Sequence, residues 1–136
     1  DAFNLTQRKE IFMYTWTRAL FVIAALYEGL LGLAFLFFPL AIFAWYSVEP
    51  PNHPGYVQFP ALLLVIFAAI FIRIASNPAK NHDLIPYGIA LKASYVGLAF
   101  WYTTTTGIPS MWIPWAWADL IFLIVFLFAW VKLRRS

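Results

Sequence analysis

The chain has 136 residues, of which 63% are hydrophobic, 21% aromatic and 11% charged, and its formal net charge is +3. A soluble domain is about half apolar and about a quarter charged, so a soluble fold of this size could not bury so much apolar surface. The composition excludes a disordered chain, a secreted disulfide scaffold and a soluble enzyme. It predicts one integral membrane domain covering residues 1–136. The lack of cysteine excludes disulfides, thiolate metal sites and iron–sulfur clusters.

Four stretches are long and apolar enough to cross a bilayer as helices, which takes about 20 residues. In chain order they cover approximately residues 11–38, 59–74, 84–102 and 112–131. Pro60, Pro86 and Pro114 are predicted to stand in the first turns of the last three spans, where a missing N–H costs no helical hydrogen bond. The residues before the first span do not resemble a cleavable signal peptide, so we expect that span to stay in the membrane.

The connections between the spans have different compositions. Residues 47–56 are rich in proline and cannot be helical throughout. Residues 40–46, just before them, are predicted to form a short helix at the membrane interface. The second connection, residues 77–83, is a short polar turn, whereas the third follows four threonines with Gly107 and Pro109.

Basic residues orient the four spans. Eight of the nine fall at the termini or the second connection: Arg8, Lys9, Arg18, Arg73, Lys80, Lys132, Arg134 and Arg135. Under the positive-inside rule, both termini and the second connection are predicted to be cytoplasmic. The basic excess is therefore interpreted as a topology signal, and no nucleic-acid partner is predicted. Arg73 and Lys80 are also candidates for binding the phosphate of a lipid headgroup, although such residues usually only determine topology.

Aromatic side chains gather near the ends of the predicted spans, as expected for rings that anchor a protein at both membrane interfaces. Trp112, Trp115 and Trp117 are close together in the sequence. They are dense enough to line a site or a surface for a partner protein.

Three charged residues lie inside predicted spans: Glu28, Lys92 and Asp119. A charge at the bilayer centre costs about 2.5–3.5 kcal/mol on insertion scales, so such residues rarely face lipid. At a rise of 1.5 Å per residue, all three lie about 13–20 Å from the cytoplasmic ends of their spans. The sequence therefore predicts a Glu28–Lys92–Asp119 cluster in the bundle, with Tyr27, Ser94 and Tyr95 as hydrogen-bond partners.

Two interpretations of this cluster stay open. In the first, it is a polar clasp that fixes which helices pack together. In the second, it is a proton relay or a ligand site, with Glu28, Lys92, Asp119, Tyr27 and Tyr95 as the candidate residues. If all three charged groups are ionised, the cluster keeps a net negative charge, and a proton on one acid would relieve it.

Other chemistry is poorly represented. His53 and His82 both lie in connections, on opposite sides of the predicted membrane, so a haem held by two histidines between helices is excluded. No catalytic residue, metal site or obligatory cofactor is predicted. Small residues four apart, Ala25 with Gly29 and Ala93 with Gly97, predict that the first and third spans approach each other closely.

Three segments carry a family resemblance: NPAKNHDLIPYGIALKASYV at 77–96, GIPSMW at 107–112 and WADLIF at 117–122. They resemble the DoxX-like family of small four-helix proteins of the bacterial inner membrane. In that comparison Lys92 and Asp119 match a third-helix lysine and a fourth-helix aspartate. The resemblance implies a bacterial plasma-membrane location and a link to quinone-related or thiosulfate-related electron transfer in membrane redox complexes.

The predicted fold is all-α, a four-helix transmembrane bundle with both termini cytoplasmic. The first functional hypothesis is a non-catalytic accessory subunit of a larger membrane complex, with lipids and other membrane subunits as partners. The alternative is binding or transport of a hydrophobic small molecule, a quinone or a lipid, at the Glu28–Lys92–Asp119 cluster. A third hypothesis, an oxidoreductase, has little support from the residues present.

Overall fold

Four long helices make up most of the protein, which the computed structural model describes from residue 2 to residue 135. Residues 1 and 136 of the predicted domain lie outside the described residues. The helices are α1 (Ala2–Phe37), α2 (Pro39–Trp45), α3 (Gly55–Ser76), α4 (Pro78–Asn81), α5 (Ile85–Thr104) and α6 (Ile113–Leu133). Within residues 2–135 there is no β-strand, so the all-α prediction is confirmed.

The four predicted spans correspond to α1, α3, α5 and α6, each within a helical segment long and apolar enough to cross a membrane. The first differs most from its prediction, because α1 begins at Ala2 instead of near Ile11. Its 36 residues correspond to about 54 Å of helix, against about 30 Å of membrane hydrocarbon. Residues 2–12 are all exposed, so the polar start of the chain continues the helix beyond the length that a membrane needs.

Prolines mark helix starts as predicted in two of the three spans. Pro86 and Pro114 stand at the first or second position of α5 and α6. The prediction for Pro60 is wrong, because α3 begins at Gly55 and Pro60 lies inside the helix. Pro60 has no N–H to donate to the carbonyl of Tyr56, so one helical hydrogen bond is missing near the start of α3.

The long helices pack as two antiparallel pairs, α1 with α3 and α5 with α6, with far less contact between the pairs. Small residues make the first pair close. A Cβ built on Gly32 would lie 2.7 Å from the carbonyl oxygen of Ala61, and one on Gly29 would lie 3.5 Å from the Cβ of Ala68. The predicted approach of the first and third spans is wrong, because Gly29 faces α3 and nothing in the described chain lies within 4 Å of a Cβ on Gly97.

Side chains tie the two ends of the α1–α3 pair. The Nε of Arg18 donates to the carbonyl of Ala75 (2.9 Å), near the end of α3. The amide of Gln58 donates to the carbonyl of Leu36 (3.1 Å), near the end of α1. Carbonyls in the last turn of a helix lack an intrahelical donor, so each helix supplies the group that the end of its partner lacks.

Aromatic side chains fill the bundle at two levels. At the end that carries the chain termini, Phe21, Phe71 and Phe126 are fully buried and pack with ring centroids 4.6–5.6 Å apart. At the opposite end, Phe35 and Phe43 both pack on Trp112, with centroids 5.9 and 5.8 Å apart. Phe43 belongs to α2, the short helix predicted at residues 40–46. The charged cluster lies between these two levels.

Gly32→Ala is expected to lower the free energy of unfolding by about 1–3 kcal/mol, the usual cost of overpacking a close interface. The added methyl group would meet the backbone of α3, which cannot move aside as a flexible side chain can. Gly97→Ala is the matched control and should be neutral or stabilising, because the same methyl group meets open space there. Denaturant unfolding in detergent micelles measures both variants, and equal effects would contradict this account of the α1–α3 interface.

Candidate functional site: the buried ion cluster and its cavity

Three charged side chains from three helices meet in the interior of the bundle. The cluster predicted from their similar depths in the spans is confirmed. Lys92 of α5 donates to a carboxylate oxygen of Glu28 on α1 and to one of Asp119 on α6, the latter at 2.8 Å. Lys92 is 0% exposed, Glu28 1% and Asp119 8%. The lysine therefore joins the two helix pairs at mid-height, and α3 contributes no charged group to the cluster.

Aromatic rings surround the ammonium group of Lys92. Its Nζ lies 4.9 Å from the ring centroid of Tyr27 and 4.9 Å from that of Phe122. A cation near the face of an aromatic ring is attracted to the negative charge of the face, by about 2 kcal/mol when desolvated. Two carboxylates and two rings together replace the water that the lysine loses on burial.

The three predicted hydrogen-bond partners of the cluster do not bond to it. The hydroxyl of Tyr95 donates to the carbonyl of Trp112 at 2.7 Å and so ties α5 to the start of α6. The hydroxyl of Ser94 donates to the carbonyl of Ala90 within its own helix. Tyr27 packs its ring against Lys92, but its hydroxyl makes no hydrogen bond to either carboxylate. Tyr27 and Tyr95 lie beside the cluster or its cavity, but Ser94 is exposed, so its predicted place at the cluster is wrong.

A cavity of about 570 Å³ lies next to the cluster, between the two helix pairs. Glu28 and Asp119 line it, whereas Lys92 does not. The remaining lining residues are apolar or aromatic and come from α1, α2, α3, α5, α6 and their connections: Tyr27, Leu31, Phe35, Phe43, Pro51, Tyr56, Val57, Pro60, Ala61, Leu63, Leu64, Leu91, Tyr95, Trp112 and Trp115. The site is thus a partly open apolar cavity with two carboxylates in its wall.

Two buried hydrogen-bond donors beside the cavity have no partner. The hydroxyl of Tyr27 and the Nε1–H of Trp115 are inaccessible and find no acceptor among residues 2–135, although both side chains line the cavity. Leaving a buried donor unpaired costs about 1–3 kcal/mol. Native structures keep few such groups, and those that persist need an explanation.

The tryptophans predicted to line a site divide into two groups. Trp112 and Trp115 line the cavity, whereas Trp117 is 56% exposed and packs on Phe100. Sequence reasoning missed the contribution of α3, whose residues Val57, Ala61 and Leu64 form one wall. These are ordinary apolar residues of a membrane span, so no sequence signal distinguishes them.

Arg73 and Lys80, the candidates for a lipid headgroup, are both exposed around the α3–α4 connection. The backbone of this turn is fixed by two side chains. The amide of Asn81 donates to the carbonyl of Arg73 (2.8 Å), and Asn77 accepts from the N–H of Lys80 (3.1 Å). The two basic side chains therefore project from an ordered turn, and their role in binding a headgroup stays a prediction.

Residues 2–135 contain no group of three or more His, Asp or Glu side chains placed to hold a metal ion. Comparison of the chain with protein-family models, with curated proteins and with solved structures gives no match. The resemblance to the DoxX-like family therefore stays a prediction.

Lys92→Met should lower the free energy of unfolding by about 3–5 kcal/mol, because it leaves two buried carboxylates without a cation. Asp119→Asn should cost less, since it leaves the Lys92–Glu28 pair balanced and keeps an oxygen that accepts from the lysine. Lys80→Met, an exposed lysine, controls for the loss of charge alone. Denaturant unfolding in detergent compares the three variants. Equal destabilisation by Lys92→Met and Asp119→Asn would contradict this expectation, because it would mean that the Lys92–Glu28 pair is not stable without Asp119.

Proposed function

We propose that the protein binds a hydrophobic small molecule with a polar head group inside the membrane, in the cavity between the two helix pairs. The observation that carries the proposal is the composition of the cavity wall, which is apolar except at one place. There two carboxylates line it beside two buried donors that lack a partner within residues 2–135. Such a wall matches a molecule with an apolar body and one polar end.

The size of the cavity supports this proposal. Pockets for small molecules typically enclose about 300–1,000 Å³ and have mostly apolar walls with a few placed polar groups. The cavity of about 570 Å³ lies well within that range. A quinone and a lipid both combine an apolar body with oxygen atoms that accept hydrogen bonds, and these are the ligand classes we propose. The hydroxyl of Tyr27 and the N–H of Trp115 are covered in this structure, so binding would need a small shift of these two side chains before they donate to such an oxygen.

The position of the cavity favours entry from the bilayer. One of its walls is the first half of α3, where Tyr56 is 70% and Leu63 39% exposed. The α3 helix packs mainly on α1, and its contact with α5 is slight. A hydrophobic ligand dissolved in lipid would therefore enter between α3 and α5 without crossing water.

We further propose that the protein lies in a bacterial inner membrane with both termini in the cytoplasm. Eight of nine basic residues support this orientation, because they fall at the termini or around the α3–α4 connection. The antiparallel order of α1, α3, α5 and α6 brings these segments to one end of the bundle. The α1–α2–α3 connection, which carries no Lys or Arg, is then external.

A second candidate function is that of an accessory subunit in a larger membrane complex. The exposed first part of α1 favours it, because residues 2–12 include large apolar side chains such as Phe3 (70% exposed) and Phe12 (69%). This part of α1 exceeds the length that a membrane span requires. Co-migration with other subunits after mild-detergent extraction would support the candidate, and a lone monomer or small homo-oligomer would count against it.

Protein purified from its native membrane in mild detergent should carry about one hydrophobic small molecule per chain, as measured by solvent extraction and mass spectrometry. Tyr27→Phe and Trp115→Phe should each weaken retention roughly two- to tenfold, since each removes one neutral hydrogen bond worth about 0.5–1.5 kcal/mol. Without ligand, Tyr27→Phe should be at least as stable as the wild type, because it removes only an unpaired buried hydroxyl. Trp115→Phe should be slightly less stable, because it also removes part of a ring that packs on Tyr27.

Trp117→Phe is the matched control for this experiment, because it removes the same indole N–H from an exposed position outside the cavity. It should leave retention unchanged. Purification of the wild type with no bound small molecule, or equal losses in Trp117→Phe and Trp115→Phe, would contradict ligand binding in this cavity.

The proposed orientation is open to a direct test, because the chain has no cysteine and single-cysteine variants are unambiguous. Asn52→Cys, in the α2–α3 connection, should react with a membrane-impermeant thiol reagent in intact bacterial cells with a permeabilised outer membrane. Ala79→Cys, in the α3–α5 connection, should react only after lysis. Both positions are exposed, so access to the reagent depends on the side of the membrane, and the reverse pattern would refute the orientation.

A further inference from the structure

We propose that the cavity selects ligands whose head group is a cation, such as a protonated lipophilic amine, over neutral molecules of the same shape. This inference rests on the proposed function and narrows its two ligand classes to one: lipids whose head group carries an ammonium group beside its acceptor oxygens. It disfavours quinones, which are neutral. Three observations carry it: the charge balance of the cluster, the position of its charges relative to the cavity, and the aromatic lining.

The charge balance leaves one carboxylate in excess. Glu28 and Asp119 share a single cation, Lys92, so the fully ionised cluster has a net charge of about −1. Among the described residues that line the cavity there is no Lys, Arg or His. An isolated buried charge is expensive and is normally paired or neutralised. The excess charge therefore needs a proton or a cation from outside the cluster.

The excess charge also lies on the cavity side of the cluster. Lys92 is fully buried and does not line the cavity, whereas both carboxylates do. The Asp119 side chain is 11% accessible, against 2% for that of Glu28. A ligand in the cavity thus meets Asp119 first, with the ammonium group of Lys92 behind it. An ammonium head group beside Asp119 would make a row of alternating charges: Glu28, Lys92, Asp119 and the ligand.

Aromatic rings in the same wall suit a cation better than they suit a neutral polar group. Tyr27, Tyr95, Trp112 and Trp115 all line the cavity. Aromatic faces carry negative charge and attract ammonium groups, and cages of such rings recognise amines. Away from water, the attraction between an ammonium group and a carboxylate is also far stronger than in solution. A neutral hydroxyl group in the same position gains neither of these charge interactions.

The test compares two probes that differ only in the head group, decylamine and decanol. A primary alkylamine resembles the lysine side chain, with a pKa of about 10.4, and is therefore protonated at neutral pH. Each probe is titrated calorimetrically into the protein in nanodiscs of zwitterionic phosphatidylcholine, with empty nanodiscs subtracted to remove partitioning into lipid. The amine should bind at least tenfold more tightly than the alcohol.

Two variants assign the preference to the cluster. Asp119→Asn should reduce the affinity for decylamine at least tenfold and leave that for decanol unchanged. Asp83→Asn removes the same charge from an exposed position outside the cavity and should keep the preference. If Asp119→Asn does not fold, the ratio of the two affinities for the wild type still decides the question.

Three other outcomes would overturn cation selection. Decanol binding as tightly as decylamine would overturn cation selection and leave the proposed function standing, with a protonated carboxyl as the neutral head-group partner. An amine preference that survives Asp119→Asn would also overturn the inference. Failure of both probes to bind would overturn it too, and would count against the proposed function only if the purified protein also carries no hydrophobic compound.

Discussion

The arrangement of the long helices depends on the ion cluster around Lys92. A buried ammonium group needs carboxylate partners, and few arrangements of the helices supply them. The lysine sits on α5, and its two carboxylate partners sit on α1 and α6. In a medium without water, each of these helices must present its charged residue to the same point. The cluster therefore determines how the α1–α3 pair faces the α5–α6 pair, while apolar contacts and a few side-chain hydrogen bonds hold each pair together.

The cavity follows from the same arrangement. The pairs are joined at the end with the termini by Phe21, Phe71 and Phe126 and at mid-height by the charged cluster. Toward the other end, Phe35, Phe43 and Trp112 cover the space left between α3 and α5. Close packing on α1 holds α3 away from α5, since Gly32 and Ala61 bring the backbones of α1 and α3 together. The space between the pairs is thus a consequence of the tight interface within one of them.

Polar groups in the cavity wall destabilise the fold, and the contacts within the described residues compensate for them only in part. Of the three buried side-chain polar atoms without a partner within residues 2–135, two belong to cavity-lining residues, and the third is the hydroxyl of Thr17. Two carboxylates also share one cation. A purely structural clasp would be served better by a single balanced pair, because an additional buried charge weakens the assembly. The concentration of these costs beside an apolar cavity is the reason that we propose a ligand, and not helix packing alone, as the explanation of the site.

The sequence by itself determined the four spans, their prolines at Pro86 and Pro114, and the meeting of Glu28, Lys92 and Asp119. These are local properties: hydropathy and proline act within one segment, and a charge inside a span must find a partner at its own depth. Only the tertiary structure decided that Gly29 faces α3, that the hydroxyl of Tyr95 bonds to Trp112, and that a cavity lies beside the cluster. Those features depend on how side chains fit across helices. An apolar residue looks the same in the sequence whether it faces lipid, a neighbouring helix or a cavity.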